Sequence, residues 1–180
     1  MAMAKIIPID DFRNQHALRA GYHQWRQRFS EDFDFGTGLS QLSPETLGRL
    51  AEPGDDSSAA LYALIIGFLG YGQFETFESL DSQIQSYVLD IHLFMADQIR
   101  FEMMFRLGWL DQFVGNQFSF FEMVKKFEHV KKTCQENPPQ LAKDHSDYND
   151  YRLLIDRDKQ VFIRRMLSSA LETFKTVNKL

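Results

Sequence analysis

From Leu80 to Leu107, 28 residues pass without a Gly or a Pro. The residues that most often stop or kink a helix are missing from this span, so it predicts one helix of about 42 Å at 1.5 Å per residue. A chain of 180 residues folded as one domain has a radius of gyration of roughly 16 Å. Such a helix would cross it from side to side. From Tyr87 onward the apolar residues, among them Val88, Ile91, Phe94, Met95, Ile99 and Phe101, point in nearly every direction around the axis. A helix apolar all round is one that neighbours surround. Gly108, followed by Trp109, reads as its left-handed stop.

The flanking segments also read as helices. Leu18, Tyr22, Trp25 and Phe29 fall on one face of a helix over about 11–29. Ser43 before Pro44 and Glu45 is a good helix start, and Pro53-Gly54 ends that short helix. Asp55, Asp56 and Ser57 offer an N-cap for an apolar helix reaching Leu69, with Gly70 as its end. Ser119-Phe120-Phe121-Glu122 has the form of a capping box, placing a helix from there to about Cys134. Phe162, Met166, Ala170 and Phe174 mark a last helix over about 156–178. Residues 140–155 are polar and poorly periodic, and read mostly as loop. The expected fold is all-α, a single helical domain over 1–180, with about five to six helices bundled around a long central helix at about 80–107.

Composition narrows the function classes. The apolar share of 44% and charged share of 25% are those of an ordinary globular domain. A single cysteine, Cys134, excludes an intrachain disulfide and a multi-cysteine metal site, and points to the cytoplasm as the location. The N-terminal ten residues have no apolar run of leader length. The most apolar window, 59–72, is short of the roughly 20 residues a bilayer requires, so no membrane partner is expected. Net charge is −5, which argues against a nucleic-acid partner. Residues 31–122 carry three basic against fifteen acidic side chains, and residues 151–180 seven against three. The basic end is expected to fold back beside the acidic middle.

Chemistry has few places to sit. Asp90, Asp97 and Arg100 lie along the otherwise apolar central helix at offsets of seven and three, close to one stripe. If helices cover that stripe the charges must pair, since a buried lone carboxylate costs several kcal/mol; an Asp97–Arg100 pair with Asp90 bonded elsewhere is one solution. His92 has Val88, Met95, Ala96 and Ile99 as helical neighbours and points from an apolar face. It reads either as a core histidine bonded to a carbonyl or as an acid/base group in a pocket, and its two-residue offset from Asp90 argues against a dyad. These four are the ligand-binding candidates, and no catalytic residue is assigned.

No metal or cofactor is expected. Glu-x-x-His, the signature of di-iron bundles, does not occur, and a calcium loop started at Asp147 puts Arg152 where Gly is required. Walker, dinucleotide, Gly-x-Ser-x-Gly and His-Glu-x-x-His motifs are missing too. Cys134 follows Lys131 and Lys132, whose charge could lower its pKa.

The chain holds 17 Phe, with clusters at Phe33 and Phe35, at Phe74 and Phe77, and at Phe118, Phe120 and Phe121. These fall in loops or at helix starts. With no catalytic motif, the first functional expectation is a non-enzymatic interaction or regulatory module that forms a homo-oligomer or binds a partner protein through aromatic-rich surface. The alternative is a small-molecule-binding or enzymatic bundle with a polar site on the central helix.

Overall fold

The computed structural model describes residues 9–180, so the part of the N-terminal expectation that falls on residues 1–8 lies outside the described residues. The described chain is all-α apart from one short two-stranded ladder. Helix α4 (Ser82–Arg106) runs unbroken, as the Gly- and Pro-free span predicts. Asp81 caps its start, its carboxylate accepting from the backbone N–H groups of Gln83 and Ile84 at 3.0 Å. At the other end Gly108 sits at φ 74°, with Trp109 N–H donating to Met104 O and Gly108 N–H to Phe105 O. Those two bonds satisfy carbonyls that would otherwise be orphaned.

Two helices build a tight block on one side. In α1 (Ile9–Phe29) and α3 (Asp55–Leu69), Gly21 and Gly67 meet backbone to backbone, and a β-carbon on Gly67 would strike the Gly21 main chain. Only glycine permits that approach. One turn on, Trp25 Nε1–H donates to Ala60 O at 2.7 Å, so the buried indole carries no unpaired donor. Around Trp25, Tyr22, Phe33, Phe68 and Phe120 pack ring against ring at centroid separations of 5.0–5.8 Å. Of the seven clustered Phe, Phe33, Phe120 and Phe121 are buried, Phe77 and Phe118 are partly buried against the core, and Phe35 and Phe74 stay exposed. The expected cap from Asp55, Asp56 or Ser57 is not made. Gly54 precedes the helix, and the Ser57 hydroxyl instead donates back to Glu52 O at 2.6 Å.

The remaining elements close the bundle. Helix α2 (Pro44–Ala51) begins on the Ser43 cap as expected. It lies against α4 and against α9 (Leu167–Asn178), which Lys175 ties to Glu52 at 2.7 Å. The span read as one helix after Ser119 is two, α5 (Phe120–Lys125) and α6 (Phe127–Glu136), bent at Lys126, although the Ser119–Glu122 capping box forms. The last helix is likewise two, α8 (Asp156–Arg165) and α9, turning at Met166. With a single turn, α7 (Tyr148–Tyr151), these breaks raise the count from the expected five to six to nine among the described residues.

The stretch read mostly as loop also contributes a strand. β1 (Leu110–Gln112) pairs antiparallel with β2 (Gln140–Leu141), Leu110 opposite Leu141. Strands of two or three residues are too short to show a period of two. Their pairing has a large positional effect, because it draws the segment after α6 back to the end of α4. Tyr151 then donates to Gln140 Oε1 at 2.8 Å and Gln160 Nε2 to Pro139 O at 3.3 Å, holding that segment beside α8.

Candidate functional site

The four residues singled out on α4 divide among three environments. Asp90 and Asp97 both line a cleft of about 410 Å³ between α4, the end of α6 and α8. Arg100 does not join them. Its Nε points to Ala51 O, 3.4 Å away at the carbonyl end of α2, where helix dipoles favour a cation. Asp97 is paired across the fold with Arg164 Nη2 at 2.9 Å rather than with Arg100. The closely held ionic pair within α4 is instead Glu102–Arg106 at 2.8 Å, with Glu102 buried and the Arg106 guanidinium also donating to Leu39 O and Leu42 O. That arginine pins the turn before α2 onto the central helix.

His92 lies about 200° around the helix from Asp90 at 3.6 residues per turn. It is buried against α3, stacked on the Tyr62 ring at 4.1 Å between centroids. Neither of its ring nitrogens has a hydrogen-bond partner among the described residues. Burial pushes its pKa below the usual imidazole range, the Arg100 charge pushes it the same way, and the Ser58 backbone opposes them in part. The ring is a neutral part of the α3–α4 contact.

The cleft is assembled from a sequence pattern on α4 and three segments that tertiary structure brings to it. Asp90, Phe94, Asp97 and Phe101 recur at offsets of four, three and four, one face of a helix. Opposite them stand the Asn137-Pro138-Pro139 segment held by β2, the end of α6, and Gln160 and Arg164 of α8. Phe113, Val114 and Gly115, just after β1, close one end.

Gln98 also lines the cleft and is only 6% exposed, and its carboxamide makes no hydrogen bond among the described residues; its amide atoms are not among the fully buried unpartnered ones, so the group reaches solvent through the cleft. Its oxygen lies where a β-carbon on Gly115 would go. The cleft is therefore where this amide meets water, or a molecule that takes the place of water.

The electrostatics of the lining are balanced. Two carboxylates, Asp90 and Asp97, meet two cations, Lys131 and Arg164. Asp97 and Arg164 neutralise each other, and the Lys131 ammonium lies over the Phe127 ring at 5.2 Å. Cys134 also lines the cleft, but burial pushes its thiol up to about 11, opposite to the lowering that its lysine neighbours suggested. It is a neutral thiol at physiological pH, and not an activated nucleophile. Among the described residues no three His, Cys, Asp or Glu side chains gather as metal ligands do, and no helix is long and apolar enough to cross a membrane.

No known protein family, curated protein or solved structure matches this chain. The functional reading therefore rests on the cleft itself. The sequence pattern passed over Gln98, although a neutral amide amid an apolar span beside Asp97 was a visible signal. Arg164, Gln160 and the Pro138-Pro139 wall gave none, because only the β1–β2 pairing and the turn at Met166 bring them to α4.

Proposed function

We propose that this chain binds a small organic molecule in the cleft between α4, α6 and α8. The observation that carries this reading is the Gln98 carboxamide, on a residue only 6% exposed and with no protein hydrogen bond, at the wall of a cavity of about 410 Å³, a volume within the usual range for ligand pockets. The lining combines the apolar and aromatic faces of Phe94, Phe101 and Phe113 with a few convergent polar groups, which is the composition such sites have. No group in it is poised as a base or nucleophile, so binding rather than catalysis is the function proposed. Saturation-transfer NMR with a library of ring-bearing fragments tests it on the wild-type chain and on Leu93→Trp, since Leu93 lines the cleft and is 56% exposed, so an indole there fits without disturbing the core. Fragments that bind the first and not the second support the cleft; fragments indifferent to the substitution, or none bound at all, refute it.

A second reading is self-association or partner binding through exposed apolar side chains. It draws on Phe74 and Leu153, 81% and 78% exposed, and on the exposed Ile155. Light scattering across a concentration series tests the homo-oligomer, and a strict monomer removes it.

A further inference from the structure

The chemistry of the lining also selects among ligand classes, a selection that rests on the cleft being a ligand site. We infer that its ligand is neutral and flat, a ring bearing a carboxamide or lactam group. Two features of the cleft lead there.

The first is the chemistry of the deepest polar group. A carboxamide offers an acceptor and two donors in one plane, and carries no charge. The partner that satisfies both kinds of site at once, in one plane, is another amide or lactam edge. A carboxylate would satisfy only the donors of Gln98 and an ammonium only its oxygen. Either ion would also have to leave water beside Phe101 and Phe113, both buried, with no opposite charge on Gln98 to offset the loss.

The second is how the charges are disposed. Full charges are present but already engaged or outward. Asp97 is matched by Arg164 at 2.9 Å, Asp90 is exposed, and the Lys131 ammonium is drawn to the Phe127 ring. Of the other carboxamides in the lining, Gln135 is exposed, Asn137 donates to Thr133 O at 3.0 Å and Gln160 to Pro139 O at 3.3 Å, so the last two have donors partly committed. That leaves Gln98 as the amide on a buried residue that is free to pair. Phe94, Phe101 and Pro138 in the lining supply apolar surface for a ring.

Three probes of one shape and three charges isolate the inference: benzamide, benzoate and benzamidinium, titrated by NMR into the wild-type chain, Gln98→Leu, Gln98→Glu and Leu93→Trp. Benzamide is expected to bind with Kd near 1 mM, about −4.1 kcal/mol, and the two ions at least about tenfold more weakly. Gln98→Leu is expected to weaken benzamide about tenfold. Gln98→Glu is expected to turn the preference toward benzamidinium, a gain that a misfolded variant cannot mimic. Benzoate or benzamidinium binding best to wild type, or all three binding alike and all lost in Leu93→Trp, overturns the neutral-amide ligand and leaves the cleft standing. No probe bound up to about 10 mM, weaker than −3 kcal/mol, or binding unaffected by Leu93→Trp, overturns both.

Discussion

The two sides of α4 solve the same packing problem in opposite ways. On the side of α3, which is locked to α1, packing is close: glycine backbones of α1 and α3 touch, the Trp25 indole N–H finds Ala60 O, and rings from three parts of the chain interlock, although the Tyr22 hydroxyl and the His92 ring nitrogens have no partner among the described residues. Against α6 and α8 the helices stand apart. The gap is bordered by the Gln98 amide, which makes no protein hydrogen bond, and two prolines with a short strand hold it open. Both sides have ample aromatic material. The difference lies in small residues that let backbones touch, present between α1 and α3 and missing between α4 and α8.

The close-packed wall should respond most strongly to substitution. Gly67→Ala forces its methyl into the Gly21 main chain, and since backbone cannot step aside as a flexible side chain can, the expected loss is about 3 kcal/mol. Urea unfolding should show a lower midpoint with an unchanged slope. A loss under about 0.5 kcal/mol would mean that the α1–α3 contact is looser than the glycine pair implies.

The α3–α4 contact should add a pH dependence of its own. His92 is held below its ordinary pKa of 6.5 by burial and by Arg100, so in the folded chain it resists a proton that the unfolded chain accepts. Stability is then unaffected by His92 above pH 6.5 and falls as pH drops below it, until the folded ring titrates in turn. Groups near the ring are Arg100 on its own helix and Tyr62 and the Ser58 backbone on α3. His92→Phe keeps the stacking and should flatten the curve below pH 6.5, with carboxylates contributing equally to both proteins. Parallel curves for the two would remove the histidine from the explanation.

The smallest effect belongs to the pair at the cleft edge. Arg164 and Asp97 are 56% and 29% exposed at the side chain, so breaking the pair in Arg164→Ala should cost no more than about 0.5 kcal/mol. A loss several times larger would make that pair a structural strut rather than a rim.

These contrasts also explain what could be read in advance. Signals carried by neighbouring residues were legible: the Gly- and Pro-free span that became α4, its Gly108 stop, the Ser43 start and the Ser119–Glu122 box. So was the stripe placing Asp90 and Asp97 on one face. Features set by partners far along the chain were not. Asp97 meets Arg164 from 67 residues away, and Arg100, equally well spaced locally, is drawn off by the end of α2. The bends at Lys126 and Met166 interrupt segments whose apolar period continues, so periodicity could not show them. That Gln98 lacks a partner is visible only once every neighbour is in place.

Whether that amide is present for a ligand or for the fold can be measured without knowing any ligand, by chemical unfolding of Gln98→Leu. Leucine has nearly the same bulk and no polar group to satisfy, so the variant should be as stable as wild type or up to about 1 kcal/mol more stable. A loss of about 2 kcal/mol or more would mean that the carboxamide is a bonded part of the core, and the cleft would then be only a gap between helices.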